Sequence, residues 1–213
     1  PRPIAPPRWH GKWDNGKAMT AFNEILVYLL QTFLSLYLVA MLLRFLLQLV
    51  RADFYNPISQ FLVKITNPLV VPLRRLVPGF GGIDIASLLL ALLLQLAGIV
   101  ALLLVNGFSP PGPLVLLVWS CLGVIGLLVN IYFFALLAMI VLSWVAAGSR
   151  HPAIILLYQL TEPVMAPFRK LLPAMGGLDF SPILVFILIN VIQIALRHMA
   201  AGVGLHPALV IGI

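Results

Sequence analysis

The stretch TNPLVVPLRRLVPGFGGID runs from Thr66 to Asp84, and a close copy, TEPVMAPFRKLLPAMGGLD, runs from Thr161 to Asp179. The two lines lie 95 residues apart without a gap, and nine of their 19 positions are identical. Most of the other positions exchange one apolar residue for another, or one basic residue for another. The chain therefore contains a duplicated unit. The repeated segment, called the repeated line below, indicates what kind of unit it is.

The composition indicates a membrane protein. Of the 213 residues, 62% are hydrophobic and only 9% are charged, and the mean hydropathy is +1.11. A water-soluble domain of this size needs more charged residues to cover its surface. In such a chain the net charge of +7 is more typical of topology signals and contact with anionic lipid than of nucleic-acid binding.

No motif typical of an enzyme, a cofactor site or a metal site occurs. The single cysteine, Cys121, excludes a disulfide within the chain, and the four histidines lack a ligand-like spacing. Nucleophile-elbow, Walker and dinucleotide-binding patterns are also absent from the sequence. We predict a non-enzymatic protein with no cofactor, no metal and no direct nucleic-acid contact.

Four segments are long and apolar enough to cross the roughly 30 Å hydrocarbon core of a bilayer. They cover residues 25–50, 84–105, 114–146 and 179–197. The third is long, but no polar break divides it, so we expect one span that either tilts or has its first turns in the interface. The predicted fold class is an all-α membrane protein with four transmembrane helices, arranged as two parallel repeats of two.

The repeat offset also sets the predicted domain boundaries. We expect a disordered, Pro-rich, basic arm over 1–18, a first repeat over 19–107, a second over 108–202 and a C-terminal tail over 203–213. Whether the arm is native is left open, because Met19 is a candidate start.

Basic residues set the predicted orientation. Five lysines and arginines lie within 44–84 and three within 150–179, whereas the loop between the second and third spans carries no charge. The positive-inside rule places both basic connections in the cytoplasm and both termini on the other side, although the four basic residues of the arm, if it is native, argue against an outside N-terminus. Arg44, inside the first span, is expected to snorkel toward the cytoplasmic end.

Each basic connection is predicted to hold two short helices separated by proline. In the first copy Ile58–Ile65 precedes Pro68, and a second piece follows with Pro72 near its start. Neither piece is long enough to span, and a proline inside a helix normally breaks it. We expect a short, Pro-broken helical pair in each repeat, lying in the interface or dipping into it as a re-entrant hairpin.

Four basic residues of the repeated line are candidates for a lipid or partner contact. They are Arg74, Arg75, Arg169 and Lys170. Two interpretations stay open: they set topology and contact lipid phosphates, or they form a specific ligand or partner site.

The end of the line holds candidate turn and capping residues. Two glycine pairs, Gly81-Gly82 and Gly176-Gly177, permit a sharp turn into the next span. Asp84 and Asp179 directly precede apolar helices, where an aspartate caps free backbone N–H groups. The alternatives are a buried ion or proton site, or an ion pair with the arginine ten residues earlier.

Few polar side chains lie within the spans. Gln95 and Asn190 hold equivalent places, each about 16 Å beyond its aspartate at 1.5 Å per residue, near the bilayer centre. Both are predicted to face the interior and to hydrogen-bond between helices. Asn130 and Gln193 are further candidates for such bonds.

The repeated line resembles the YggT family, also called YlmG. An Asn-Pro or His-Pro pair stands about nine residues before each T-[NE]-P line, LSW occurs at Leu142–Trp144, and DFSP occurs at Asp179–Pro182. The resemblance covers residues 25–200. The first copy departs from the family's commoner pattern at Asn67 and over Asp84–Ser87.

This resemblance implies a small multi-pass protein of the bacterial inner membrane without known enzymatic activity, linked to envelope organisation, osmotic or ion homeostasis and complex assembly. We expect a scaffold or assembly factor, with an oligomeric channel or transporter in ion or osmotic homeostasis as the alternative. The expected partners are anionic head groups at the cytoplasmic face, and a membrane-protein partner or a second copy of the chain.

Overall fold

The computed structural model describes residues 21–79, 81–146, 148–171, 179–206 and 209–212. Six helices make up most of this part of the chain: α1 (Ala21–Leu49), α2 (Pro57–Leu76), α3 (Ile85–Val105), α4 (Pro113–Val145), α5 (Pro152–Leu171) and α6 (Ser181–Gly202). The predicted arm over 1–18, Gly176 and Gly177 lie outside the described residues. Helices α1–α3 belong to the first copy of the repeated unit, and α4–α6 belong to the second.

Four helices, α1, α3, α4 and α6, are long and apolar enough to cross a membrane. They coincide with the four predicted spans, and the described part of the chain contains no strand, so the predicted fold class is confirmed. Helix α4 has 33 residues, which makes it about 50 Å long. It is unbroken, as expected for one long span.

Helices α2 and α5 correct one detail of this prediction. Each is a single continuous helix of 20 residues with two prolines inside it. These are Pro68 and Pro72 in α2, and Pro163 and Pro167 in α5. The prediction that proline divides each connection into two short helices is therefore wrong.

Side chains of α1 contact α2 on the turn before Pro68. Pro68 removes the helical hydrogen bond to the Lys64 carbonyl, and two donors from α1 reach the carbonyls on either side of it. Arg44 Nη1 donates to the Val63 carbonyl at 3.5 Å, and the Tyr37 hydroxyl donates to the Ile65 carbonyl at 3.4 Å. A proline in a helix that packs against membrane spans does not have to end that helix.

Helix α2 contacts the spans along one narrow stripe. Its buried residues are Ser59, Leu62, Thr66 and Val70. On another side of the helix Phe61 is 58% exposed. This arrangement suits a helix at a membrane surface, with one side on the protein and another on lipid.

The two basic connections meet at one end of the bundle. The Asn56 side chain accepts from Ile58 N at 3.0 Å, which caps α2, and donates to the Pro152 carbonyl at 2.8 Å. Asp53 N donates to Gln159 Oε1 at 3.0 Å. We call the end that carries α2 and α5 the basic end.

The same helices pair within each repeat, but the two repeats are joined asymmetrically. Within each repeat the two spans pack together (α1 with α3, α4 with α6), and the intervening helix packs on both. Between the repeats α3 packs against α4, whereas the equivalent pair, α6 and α1, forms no comparable interface. The bundle is therefore open, and α1 and α6 form its edges.

The C-terminal tail enters this bundle, which the sequence analysis did not predict. Leu209 and Val210 are each 4% exposed and pack among residues of α3, α4 and α6. The Ile211 carbonyl accepts from Gln95 Nε2 at 3.4 Å, and the Gly212 carbonyl accepts from Asn130 Nδ2 at 3.0 Å. The tail backbone thus supplies partners for amides of both repeats.

Candidate functional site

In each repeat, the arginine and the aspartate of the repeated line come together at the basic end. In the first copy Arg74 Nε donates to Asp84 Oδ1 at 3.2 Å, and Arg74 Nη2 donates to Oδ2. Arg74 Nη2 also donates to Gln48 Oε1 on α1 at 3.0 Å. The arginine therefore ties α2 to both spans of its repeat.

Asp84 also caps α3. Its carboxylate accepts from Ser87 N at 3.3 Å and from Ser87 Oγ at 2.5 Å. Capping and ion pairing, two of the interpretations left open above, thus occur at the same side chain. Both Gly81 (φ 60°) and Gly82 (φ 85°) adopt the left-handed conformation in the preceding turn, which glycine adopts without strain.

The environment of Asp84 favours its charged form. The residue is only 2% exposed, and burial alone would raise the pKa of its carboxyl. The hydrogen bonds from Arg74 and Ser87, with the positive charge of Arg74, outweigh burial and hold that pKa below its ordinary value. Asp84 is an ionised anchor for cations and N–H groups.

A second arginine, Arg44, joins this first cluster. Its side chain extends toward the basic end, but it is 3% exposed, so it is buried under α2 and does not snorkel to the surface. Its Nη1 donates to Thr66 Oγ1 at 2.7 Å and to Asn67 Oδ1 at 2.8 Å, because α2 lies across it. Its Nε lies 3.9 Å from Asp84 Oδ2 and has no hydrogen-bond partner among the described residues.

The second cluster repeats the pair in a more exposed setting. Arg169 Nε donates to Asp179 Oδ2 at 3.0 Å, and Arg169 Nη1 donates to Glu162 Oε2 at 2.6 Å. Asp179 also accepts from Ser181 N at 2.9 Å, at the start of α6. The Asp179 side chain is 38% exposed, against 1% for that of Asp84, so the second pair is the weaker one.

The two clusters differ in charge because two positions differ. The residue 95 positions after Arg44 is Met139, and the residue 95 positions after Asn67 is Glu162. The first cluster therefore holds two arginines and one carboxylate, and the second holds one arginine and two carboxylates. Their formal charges are opposite in sign.

The neighbouring basic residues, Arg75 and Lys170, are exposed and form no ion pair within the described part of the chain. Each is followed by an exposed leucine at the last position of its helix: Leu76 is 80% exposed and Leu171 is 71% exposed. We call these two pairs, Arg75-Leu76 and Lys170-Leu171, the helix tips.

The intramembrane amides do not behave symmetrically. Gln95 is 1% exposed, as predicted. Asn190 is exposed, and its amide donates to the Phe186 carbonyl of its own helix at 2.8 Å, so the prediction that it faces the interior is wrong. Three residues later, Gln193 Nε2 donates to Asn130 Oδ1 at 2.8 Å and links α6 to α4, as expected.

A small cavity lies beside this last pair. Its volume is about 130 Å³, and its lining includes Asn130, Gln193, Leu196, Arg197 and Gly212. No group of three or more histidine, cysteine, aspartate or glutamate side chains in the described residues could hold a metal ion.

These features define a class: a duplicated, multi-pass helical membrane protein in which each repeat closes with an arginine–aspartate pair at the basic end. The sequence pattern of the CCB3/YggT family matches residues 23–105 and 118–200, one match for each repeat. The chain belongs to this family.

Bacterial relatives match nearly the whole chain. It is 50% identical to an uncharacterized protein of Pseudomonas aeruginosa, over 90% of this chain and 98% of the relative. It is 43% identical to the uncharacterized protein YggT of Escherichia coli K12, over 84% of this chain and 93% of the relative. Neither name mentions an enzymatic activity. No solved structure matches the chain.

Proposed function

We propose that this protein is a non-enzymatic scaffold or assembly factor of the bacterial inner membrane, with its basic end in the cytoplasm. The observation that carries the proposal is that both repeats place two adjacent basic residues in the same two environments. In each copy the first residue, Arg74 or Arg169, is held by carboxylates of its own repeat. The second, Arg75 or Lys170, is left exposed beside an exposed leucine.

The helix tips have the chemistry of a membrane-surface contact. A basic side chain near an anionic bilayer contributes about 1 kcal/mol, and an adjacent leucine can insert among the acyl chains. Two such tips orient the basic end on the lipid but give little selectivity. Partner choice would then rest on the apolar surface beside them, such as Phe61 of α2, which is 58% exposed.

Lipid retention tests the first part of this proposal. The double variant Arg75→Gln with Lys170→Gln should retain fewer anionic lipids than the wild type when native mass spectrometry releases the protein from mixed-lipid nanodiscs. Arg197→Gln is the matched control, because Arg197 is exposed near the other end of α6. Equal retention by the double variant and the wild type would contradict the proposal.

Orientation is tested separately. Ser109 and Ser149 are exposed and lie in the connections before and after α4. In a Cys121→Ser background, Ser109→Cys and Ser149→Cys should react with a membrane-impermeant thiol reagent from opposite sides. Reaction of both from one side would exclude the proposed topology.

The assembly role predicts a defined loss of partners. Proximity labelling from the basic end should mark a set of membrane proteins with the wild type, and that set should shrink when both tips are changed (Arg75→Gln, Leu76→Ala, Lys170→Gln and Leu171→Ala). The same label on Arg197→Gln should give the wild-type set. An unchanged set with the tip variant would show that the tips recruit no partner.

An oligomeric channel is the second candidate, and one observation favours it. Asn190 is a polar side chain exposed on a membrane-spanning helix, so several copies could gather this amide around a path. Gln95 is not available for that purpose, because it is buried against α4 and the tail. Ion flux through reconstituted liposomes that Asn190→Leu abolishes would support the channel.

A further inference from the structure

The two edge helices of the open bundle, α1 and α6, expose faces whose equivalents in the other repeat, on α4 and α3, are buried. On α3 the stripe Leu88, Leu92, Gln95 and Ile99 is buried or partly buried. The residues 95 positions later on α6 are Ile183, Ile187, Asn190 and Ile194, and all four are exposed. The same helix face is thus packed against other helices in the first repeat and exposed in the second.

The complementary face shows the same relationship. On α4, Gly123, Val124, Leu127 and Ile131 are buried on the side that meets α3. Their counterparts on α1 are Tyr28, Leu29, Thr32 and Leu36. Tyr28 is 67% exposed and Leu36 is 63% exposed. The positions equivalent to both halves of the α3–α4 interface therefore recur on opposite edges of the bundle, with different side chains at Tyr28 and Thr32.

The junction between the repeats is head-to-tail, since the second span of one repeat meets the first span of the next. A head-to-tail contact leaves one unused face at each end, and further copies can satisfy those faces in a ring or a row. Repeats that bury a surface only against their neighbours behave in this way.

Asn190 indicates that the exposed stripe is not an ordinary lipid-facing surface. An amide side chain that faces lipid is energetically costly, whereas amides between membrane helices hydrogen-bond across the interface. Its counterpart, Gln95, lies where α4 and the tail meet: a Cβ built on Gly123 would be 2.3 Å from Val210 Cγ1 and 2.6 Å from Gln95 Nε2. The same register places Asn190 next to Tyr28 of another molecule, and because Tyr28 is much larger than Gly123 the two helices lie further apart there.

We propose that a second copy of this chain docks its α1 on α6, and that this contact repeats the helix pairing and register of α3 against α4, with a wider spacing at Tyr28. In this arrangement Asn190 lies beside Tyr28 of the second copy, whose neighbour Thr32 adds another polar group. The surface is separate from the helix tips, so the inference does not depend on the scaffold function.

Disulfide crosslinking between two tagged chains tests this pairing in native membranes. In a Cys121→Ser background, one chain carries Tyr28→Cys and the other carries Asn190→Cys. Oxidation should give a product with both tags when the chains are co-expressed, and little product when either chain is expressed alone. The control pair is Ile125→Cys with Asn190→Cys, because Ile125 is 45% exposed but lies two residues from the Gly123 face of α4.

Three results would overturn the proposal. They are no crosslink between Tyr28→Cys and Asn190→Cys, an equal yield from the Ile125→Cys control, and efficient crosslinking of either single variant to itself. The last result would indicate a two-fold symmetric contact instead of a head-to-tail one.

A steric variant checks that the crosslink reports a packed interface. Ile187→Trp should reduce the crosslinking yield severalfold, because its counterpart, Leu92, packs in the core of the first repeat. Leu188→Trp is the matched control: its counterpart, Leu93, is 46% exposed and does not face α4. Equal yields from the two tryptophan variants would contradict the proposed contact.

Discussion

Arg74, near the end of α2, donates to both carboxylate oxygens of Asp84, the residue that caps α3. The same guanidinium reaches Gln48 on α1. One side chain therefore connects all three helices of the first repeat, at the point where an amphipathic helix must be held against two spans. In the second repeat Arg169 bonds Asp179 and Glu162 instead.

Replacing each arginine by lysine separates geometry from charge. A lysine cannot donate through two fixed nitrogens to one carboxylate, so Arg74→Lys should lower the free energy of unfolding by about 1.5–3 kcal/mol. Arg169→Lys should cost about 0–1 kcal/mol, since its partners are solvent-accessible. Denaturant unfolding in mixed micelles measures both. Equal losses of unfolding free energy in the two variants would mean that the deeper burial of Asp84 does not strengthen its ion pair.

The same pair predicts an acid-dependent loss of stability. The pKa of Asp84 is lower in the folded protein than its ordinary value, so the unfolded chain takes up a proton first as the pH falls. Stability from this group is therefore complete above about pH 5 and is lost as the pH falls through the folded pKa. Unfolding of the Asp84→Asn variant should depend less on pH below about 4.

A control distinguishes this effect from general acid denaturation. Asp179 also has a lowered pKa, through Ser181 and Arg169 acting against burial, but its side chain is 38% exposed. The Asp179→Asn variant should therefore keep most of the wild-type pH dependence. If Asp179→Asn and Asp84→Asn reduce the pH dependence of stability equally, the buried Arg74–Asp84 pair is not the main cause of that dependence.

The spans and the repeat could be predicted because their signals are local. Uninterrupted apolar runs identify α1, α3, α4 and α6, and the 95-residue offset identifies equivalent positions. The Arg74–Asp84 pair was one of the open alternatives, since ten residues separate its members across a single turn. Such features depend on short stretches of chain.

The wrong or missing predictions depend on distant contacts. The proline-containing helix α2 is held against α1 by donors from that span, and Arg44 is buried because α2 lies across it. Asn190 faces outward because α6 is at an edge, which the repeat offset alone does not reveal. The tail is short and uncharged, so nothing local marks its place among α3, α4 and α6.

The second repeat suggests how the buried arginine can be removed. Because Met139 occupies the position equivalent to Arg44 and Asp84 keeps Arg74 as its counter-ion, Arg44→Met leaves no uncompensated buried charge and should cost less than about 1.5 kcal/mol. Asp84→Ala should cost about 3–5 kcal/mol, since it leaves a buried arginine without its counter-ion. Thermal unfolding ranks the two variants, and a reversed order would be inconsistent with Asp84 as the central anchor.

The tail offers a test of a contact that only the fold reveals. Gly212 has φ 112°, and a Cβ at this position would lie 2.5 Å from Leu127 N, in the backbone of α4. Because neither the conformation nor the backbone can adjust cheaply, Gly212→Ala should displace the tail and leave Gln95 and Asn130 without their carbonyl partners. A loss of about 1–2 kcal/mol would lower the Tm by roughly 2–8 °C in a chain of this size. The matched control is Gly202→Ala at the end of α6, where nothing lies within 4 Å of the added Cβ. If the two variants melt together, the tail contributes little to holding the repeats.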